Sequence, residues 1–316
     1  MYDSGEDSPG GDRVALGMPA NRTMARREAR RGPVIHRVKL GVVVLGAVLV
    51  GGYAAPMIAQ EDICRPATGS NEAKTFAILS IPIAFSGGRA PSPAHGIVAG
   101  LEAASLPNVD PTTATPTTCR PGKGPENANP LPGILRPRIW VALGGFVVEA
   151  SWIPPIPVKG VKANLVGLAV AGTVGLPKGW YAGVRAHAVV GALHAPVVCD
   201  KDALLDATSE CYGGTLSNDR WAPNIYGVEA VLATPPGPIR LHGGFGYSRL
   251  QPRFQVDFTN ALGSRDRRKV EVNLQRAAVV GGITYQVGRF DLTAEGYATF
   301  VDAVSVRFVL QTRLGK

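Results

Sequence analysis

Apolar and polar residues alternate along the C-terminal end of the chain. In residues 303–315 one parity is apolar: Val304, Val306, Phe308, Leu310 and Leu314. The opposite parity is polar: Ser305, Arg307, Gln311 and Arg313. Because successive side chains of a strand point to opposite faces, this stretch predicts a β-strand with one apolar and one charged face. The alternation alone leaves open which face is buried, since a soluble sheet also has one apolar face.

The same alternation recurs over the chain from about residue 90 onward, with no convincing long helix. It predicts ten strands, at 94–105, 135–142, 146–154, 161–175, 180–194, 224–234, 239–250, 270–286, 290–301 and 303–315. The links between them alternate in length. Tight turns fall at 144–145, 176–179, 235–238 and 287–289, and polar links fall at 106–135, 154–160, 195–223 and 251–269. Short turns at one end and long loops at the other are typical of outer-membrane barrels.

In these segments, roughly residues 90–316, the chain resembles bacterial outer-membrane β-barrel proteins. The resemblance implies an all-β fold, an antiparallel up-and-down transmembrane β-barrel of roughly ten strands, between eight and twelve. It implies that the apolar parity contacts outer-membrane lipid, that the other parity lines the lumen, and that barrel assembly machinery is a partner. Two features depart from the class. The chain ends on Leu314-Gly315-Lys316 instead of an aromatic residue, and strands 135–142 and 146–154 are short, since a spanning strand needs about 9–11 residues.

The polar parity of the predicted strands supplies candidate lumen-facing residues of both charges. They are Glu102, Glu149, Arg185, His187, Glu229, Arg240, His242, Glu295, Arg307 and Arg313, together with Glu271 and Arg276. Buried charges need partners, which favours a lumen filled by paired side chains. The alternative is a narrow, porin-like channel whose charges select small solutes. The sequence does not decide between them and does not identify a solute.

The N-terminus carries the pattern of a secretory signal peptide. Basic residues between Arg26 and Lys39 precede the apolar run at 40–52, and small residues follow before Gln60. A retained membrane anchor is the alternative, although the apolar run is short for a spanning helix, which needs roughly 20 residues. We therefore expect residues 1–60 to be leader and signal peptide, and residues 61–90 to be a periplasmic segment or an extra strand. The barrel would then occupy residues 91–316, and residues 74–86 could also form a small plug.

Four cysteines fit a chain exported to an oxidising compartment. Cys199 and Cys211 bracket a polar segment, so we expect them to pair, which leaves Cys64 for Cys119. A zinc site is the rival interpretation, but the sequence contains no C-x-x-C and no histidine close to any of the four. We predict no metal and no cofactor.

Charge and histidine content limit the other functions. The net charge of +9 is scattered except at residues 265–269, so the sequence does not favour nucleic-acid binding. An outer-membrane enzyme would need a histidine with a nucleophile and an acid, and His194 near Asp200 and Asp202 is the least implausible catalytic base. No GxSxG, HExxH or P-loop pattern is present, and we predict no enzyme. A soluble periplasmic β-barrel binding protein is the remaining alternative. The polar links are expected to be solvated loops on the outer face.

Overall fold

The structure is a computed structural model. This structure describes residues 62–84, 86–92, 95–129 and 131–315 of the chain. The predicted signal peptide at residues 1–60 lies outside the described residues. Among the described helices, none is both long and apolar enough to cross a membrane.

In the described part of the chain, ten long strands form one closed antiparallel barrel, which confirms the predicted fold class. In chain order they are β1 (Gly96–Ser105), β2 (Gly133–Leu143), β3 (Phe146–Ile153), β4 (Lys162–Gly175), β5 (Tyr181–Ala195), β6 (Ile225–Ala233), β7 (Ile239–Leu250), β8 (Leu274–Val287), β9 (Phe290–Thr299) and β10 (Val304–Leu314). Each strand pairs with its neighbour in sequence, and β10 pairs with β1, where Phe308 lies opposite Ala103. Closure pairs the strand edges that an open sheet would leave exposed.

The barrel is apolar outside and charged inside, the reverse of a soluble protein. Along β10, Val306 and Phe308 are exposed on the outer surface, whereas Arg307 between them is completely buried. The other long strands alternate in the same sense, and their outward side chains include Leu101, Ile139, Val170, Val184, Leu241, Phe245, Ile283 and Leu292. This arrangement does not favour the soluble-barrel alternative, which requires these side chains to face the core.

The two ends of the barrel differ in the length of their connections. At one end, tight turns join β2 to β3, β4 to β5, β6 to β7 and β8 to β9. Gly144 has a φ of 71° in the first of these turns, a conformation that favours glycine. The N-terminus of β1 and the C-terminus of β10 lie at this same end, because Ile97 is opposite Leu314.

Long connections at the other end build a structure that we call the cap, formed by residues 62–70, 106–129, 196–223 and 251–273. Short strands extend the sheet from β5 in the order Asp219–Ala222, Arg253–Gln255, Lys269–Glu271 and Ile63–Cys64. The cap also contains the strand pair Phe258–Thr259 and Arg265–Asp266 and a short helix, α2 (Pro111–Ala114). The longer helix α1 (Asn71–Ile83) precedes it in the chain. The amino-acid sequence of these connections predicts only solvated loops.

Helix α1 lies inside the barrel. It begins after Ser70, whose hydroxyl accepts a hydrogen bond from the backbone N–H of Ala73, and it ends one residue after Pro82. Lys74 near its start is exposed, whereas every residue from Ser80 to Ile83 is buried, as expected where protein surrounds the C-terminal end of the helix. Residues 86–92 continue from it along the lumen, and His95 lies beside Gly144 at the short-turn end.

Within the described part of residues 61–90, Ile63–Cys64 pairs with a cap strand and Asn71–Ile83 forms helix α1 inside the barrel. Of the possibilities predicted for residues 74–86, a small plug agrees with this helix. The chain therefore runs from the cap through the lumen to the short-turn end before β1 begins.

Candidate functional site

A series of buried ion pairs follows the lumen side of the barrel wall, beside the C-terminal end of helix α1. It starts at Glu102 on β1, which lies directly opposite Arg136 on β2 in the strand register. Arg136 Nη2 donates to Glu102 Oε1 at 2.6 Å, and Arg138, two residues further along β2, donates to the other carboxylate oxygen. All three side chains are almost fully buried. A carboxylate that accepts from two guanidinium groups is well matched to a site without water.

The series of ion pairs continues around the barrel wall. Arg138 Nη2 lies 3.1 Å from Glu149 Oε2 on β3, and Arg185 Nε on β5 lies 3.0 Å from Glu149 Oε1. Arg185 also donates to Glu229 Oε2 at 2.9 Å, and these two residues face each other in the register of β5 and β6. His187 lies beside Arg185 on the same face of β5. Acidic and basic groups thus alternate, and each charge has a partner of opposite sign.

A second cluster lies on the adjoining strands β9 and β10, next to β1. Glu295 on β9 faces Arg307 on β10 in the register, and the nearest charged atoms of the pair are 3.8 Å apart. His242 Nε2 lies 3.2 Å from the second oxygen of Glu295. The Ser86 hydroxyl bridges the pair, since it donates to Glu295 and accepts from Arg307. The Arg307 guanidinium also stacks 4.6 Å from the centre of the Tyr297 ring.

The same arginines hold the C-terminal end of helix α1. Arg307 Nη2 donates to the carbonyl of Ile81 at 2.7 Å, and Arg136 Nη1 donates to the carbonyl of Ile83 at 3.1 Å. The last carbonyls of a helix have no intrahelical partner and carry partial negative charge, so cations stabilise them. Arg138 Nη2 donates to the carbonyls of Ser86 and Gly87, at 2.7 and 3.1 Å. The wall therefore fixes both the helix end and the segment that follows it.

The backbone of the segment after α1 lies very close to the Arg138 guanidinium at Gly88. Gly88 has a φ of 56°, and a Cβ atom built on it would lie 2.7 Å from Nη1 of that arginine. Any other residue would be strained there and would displace the guanidinium.

The structure buries nine of the ten principal lumen candidates inside the barrel: Glu102, Glu149, Arg185, His187, Glu229, Arg240, His242, Glu295 and Arg307. Arg313 is different, because it lies near the short-turn end of β10 and is exposed. Arg240 is also near that end and pairs with Asp291 at 2.7 Å.

Two further candidates lie outside the lumen network. The strand predicted at 270–286 begins only at Leu274, so Glu271 belongs to the cap. There it forms an ion pair with Arg65 at 3.0 Å. Arg276, at the cap end of β8, pairs with Asp302 at 2.7 Å. Arg136 and Arg138 are not among the candidates predicted from the sequence, although both lie on the polar parity of β2, which is the signal that could have found them.

The remaining sequence candidates concern catalysis and disulfides. His194 lies near the cap end of β5, and its buried Nδ1 has no hydrogen-bond partner within the described residues, so neither Asp200 nor Asp202 orients it. Both predicted disulfides are present. Cys64–Cys119 joins the segment before α1 to the β1–β2 connection, and Cys199–Cys211 closes the β5–β6 connection. No thiolate of these four cysteines is left for zinc.

Two buried carboxylates organise the cap. Asp219 accepts hydrogen bonds from the backbone N–H groups of Val197, Val198 and Asp257, and from the Ser217 hydroxyl, at 2.7–3.1 Å. Glu72, in the first turn of α1, accepts from the backbone N–H groups of three consecutive residues, 117–119, at 2.7–3.0 Å. The cap is consequently tied both to itself and to the helix that enters the lumen.

An apolar cavity of about 120 Å³ lies between helix α1, the barrel wall and the cap. Its apolar lining includes Phe76 and Leu79 of α1, Ile134 and Leu193 of the wall, and Trp221 and Phe254 of the cap. Arg120 and Glu126 lie at the polar side, with Arg120 Nη1 donating to Glu126 at 2.7 Å. Burial raises the pKa of Glu126 to about 7, against the opposing effect of the Arg120 charge.

Comparison with known proteins finds distant structural matches and no sequence match. No protein-family model and no curated protein sequence matches the chain. Two solved structures of Ail, the attachment invasion locus protein of Yersinia pestis, are similar to it. The first is 9% identical, with a TM-score of 0.28, over 70% of this chain and 98% of that one. The second, in complex with the heparin analogue sucrose octasulfate, is 10% identical, with a TM-score of 0.24 and the same coverage. At these values the likeness supports no conclusion about function.

Proposed function

We propose that the protein is an outer-membrane β-barrel whose lumen is closed by its own N-terminal helix, and that it acts as a non-conducting scaffold for the cap. The observation that carries the proposal is the attachment of α1 to the wall, where Arg307 and Arg136 donate to the carbonyls of Ile81 and Ile83. A helix held at its end by buried charges is an integral part of the barrel interior.

The outward apolar surface supports insertion into a membrane. Outer-membrane barrels alternate apolar side chains toward lipid with polar side chains toward the lumen, and the long strands here follow that rule. Residues 1–60, with the pattern of a secretory signal, would direct export and be removed. The short-turn end would then face the periplasm and the cap would face outward.

The charge balance of the lumen supports a closed barrel over a selective pore. The four central carboxylates are Glu102, Glu149, Glu229 and Glu295, and the four central guanidinium groups are Arg136, Arg138, Arg185 and Arg307. A pore that selects ions presents a ring of one sign to the passing solute. Here the central groups of both signs are equal in number and contact each other, so they do not present a ring of one sign.

Location and orientation can be tested with epitope tags inserted in the full-length chain. One tag is placed in the exposed cap turn at Leu262–Gly263, and a matched tag in the short turn at Lys178–Gly179. We expect both proteins to fractionate with outer membranes, and antibody to stain intact cells only when the cap carries the tag. Recovery of the protein from the soluble periplasm would contradict membrane insertion. Surface staining of the Lys178–Gly179 tag alone would show that the barrel has the opposite orientation in the membrane.

A further inference from the structure

The cavity beside helix α1 has walls that come from three separate parts of the chain. Phe76 and Leu79 come from the helix, Ile134 comes from β2, and Phe254 comes from a cap strand. The ring centres of Phe76 and Phe254 are 6.0 Å apart. Well-packed interiors contain few voids larger than a water molecule. An opening of about 120 Å³ between packed elements is close in size to an engineered apolar cavity of about 150 Å³ that binds benzene.

Two residues of the lining each carry a buried donor that lacks a partner. The indole N–H of Trp221 and the Nε–H of Arg120 are buried and make no hydrogen bond within the described residues. Both side chains are more than nine-tenths buried. A buried donor without an acceptor is costly, and native structures leave few such groups. The two donors therefore point to an acceptor that the chain itself does not supply.

Water fits this site poorly, and so does an anion. A buried water needs two to four polar partners, whereas most of the lining is apolar. The carboxylates of Glu72, Glu126 and Asp219 also border the cavity, against the single guanidinium of Arg120. A ligand with a negative charge would be repelled by these groups and would lose its hydration in an apolar space.

We propose that this cavity is a binding site for a small, uncharged, apolar molecule, of the size of one aromatic ring, that carries one hydrogen-bond acceptor for the Trp221 N–H. The apolar body fills the space between α1 and the cap, and the acceptor satisfies the indole. The site lies on the cap side of the ion pairs that close the lumen, so a molecule bound there is held at the outer end of the barrel. This assignment goes beyond the closed scaffold and does not depend on whether the lumen conducts.

Calorimetric titration of the full-length folded protein in lipid nanodiscs tests the site, with empty nanodiscs as the reference. Three probes each contain one benzene ring and differ in their polar group: toluene, benzyl alcohol and benzoate. We expect saturable binding of benzyl alcohol, about five- to tenfold weaker binding of toluene, and no binding of benzoate, since one hydrogen bond contributes roughly that factor. Equal heats for protein and empty nanodiscs would overturn the proposal, and so would preferential binding of benzoate.

Two variants and one control separate binding in this cavity from binding elsewhere. Ala128→Leu adds bulk to a buried position in the lining, and Trp221→Phe removes the N–H while keeping most of the ring volume. Leu262→Phe is the matched control on an exposed cap turn. We expect Ala128→Leu to lose binding of all probes, Trp221→Phe to bind toluene and benzyl alcohol within twofold of each other, and Leu262→Phe to behave as the parent.

Folding of each variant is checked by its altered gel migration before heating. If a folded Ala128→Leu bound benzyl alcohol as the parent does, the cavity would not be the site. If Trp221→Phe kept the full preference for benzyl alcohol over toluene, the indole would not be the donor that selects the ligand.

Discussion

Helix α1 lies in two different environments, and the difference shows how one element can close a barrel. Its C-terminal end is held in the lumen by the guanidinium groups of Arg136 and Arg307. In its N-terminal half Glu72 is bonded to the cap, but Phe76 packs in apolar surroundings against Phe254, next to the cavity. Charged hydrogen bonds require fixed geometry, whereas apolar attraction is non-directional. We infer that the lumen end fixes the position of the helix and the cap end leaves room for a ligand.

The largest expected effect comes from breaking the lumen network at Arg185. Arg185→Gln leaves the buried carboxylates of Glu149 and Glu229 without that partner, and the loss of one member of a buried ion pair costs about 3–5 kcal/mol. Urea unfolding of the protein from lipid vesicles measures the change. Adding Glu229→Gln to the variant should recover part of the loss, because one uncompensated charge is removed.

The control for Arg185→Gln is Arg313→Gln, which changes an exposed arginine and should shift the unfolding free energy by no more than about 0.5 kcal/mol. Equal, small effects for the two variants would mean that the lumen is hydrated enough to solvate single charges. The contrast between a dry, charged lumen and an apolar cap would then be lost.

The second-largest expected effect tests whether the apolar face of β10 contacts lipid. Phe308→Arg places a charge on the exposed apolar face of β10, and should destabilise the barrel by about 2–4 kcal/mol if that face meets the middle of a bilayer. Leu262→Arg is the control, since its side chain lies on an exposed cap turn. Folding yield in lipid vesicles measures both, and a Phe308→Arg protein that folds as well as the parent would contradict lipid contact at β10.

At the apolar end of the helix, Phe76→Ala should destabilise the protein by about 2–3 kcal/mol. This loss lies below the roughly 3–5 kcal/mol typical of a buried phenylalanine, because one side of the ring already borders the cavity. Leu205→Ala, at an exposed cap position, should change the unfolding free energy little. A loss for Phe76→Ala as large as that for Arg185→Gln would show that the cap end fixes the helix as firmly as the lumen end.

The smallest expected effect is a pH dependence from Glu126 in the cap. Burial raises its pKa in the folded protein from 4.5 to about 7, so the folded state binds the proton more tightly than the unfolded state. The resulting stability is complete below pH 4.5 and is lost as the pH rises through about 7. The loss should be on the order of 1 kcal/mol, since the side chain is partly exposed and Arg120 is adjacent.

Glu126→Gln removes this titration, so its thermal midpoint should vary less than that of the parent between pH 5 and 7. If the parent became more stable as the pH rose through that window while the variant did not, the carboxyl would be held ionised by Arg120 and the cap would be more polar than its cavity lining indicates.

The sequence predicted the barrel strands well because alternation is a local property. Along β10 every second residue from Val304 to Leu310 faces outward, and the lumen arginine at 307 could be placed from parity alone. Which charges pair could not be predicted, because that depends on register between strands. Arg185 meets Glu229, for example, across 44 positions of sequence.

Helix α1 was missed for a physical reason. A helix enclosed by protein is apolar on all sides and shows no clear periodicity, so residues 74–86 fit a strand, a loose segment or a plug equally well. The cap strands were missed because each has two to four residues, too few to show alternation. The cavity depends on contacts among α1, β2 and the cap, which no local pattern encodes.

Conductance in planar lipid bilayers tests most directly the claim that α1 closes the lumen. We predict that the parent protein inserts without steady openings, that Arg313→Gln behaves the same way, and that Arg307→Gln, which frees the carbonyl of Ile81, shows intermittent openings. Steady, ion-selective openings of the parent protein would contradict a closed barrel.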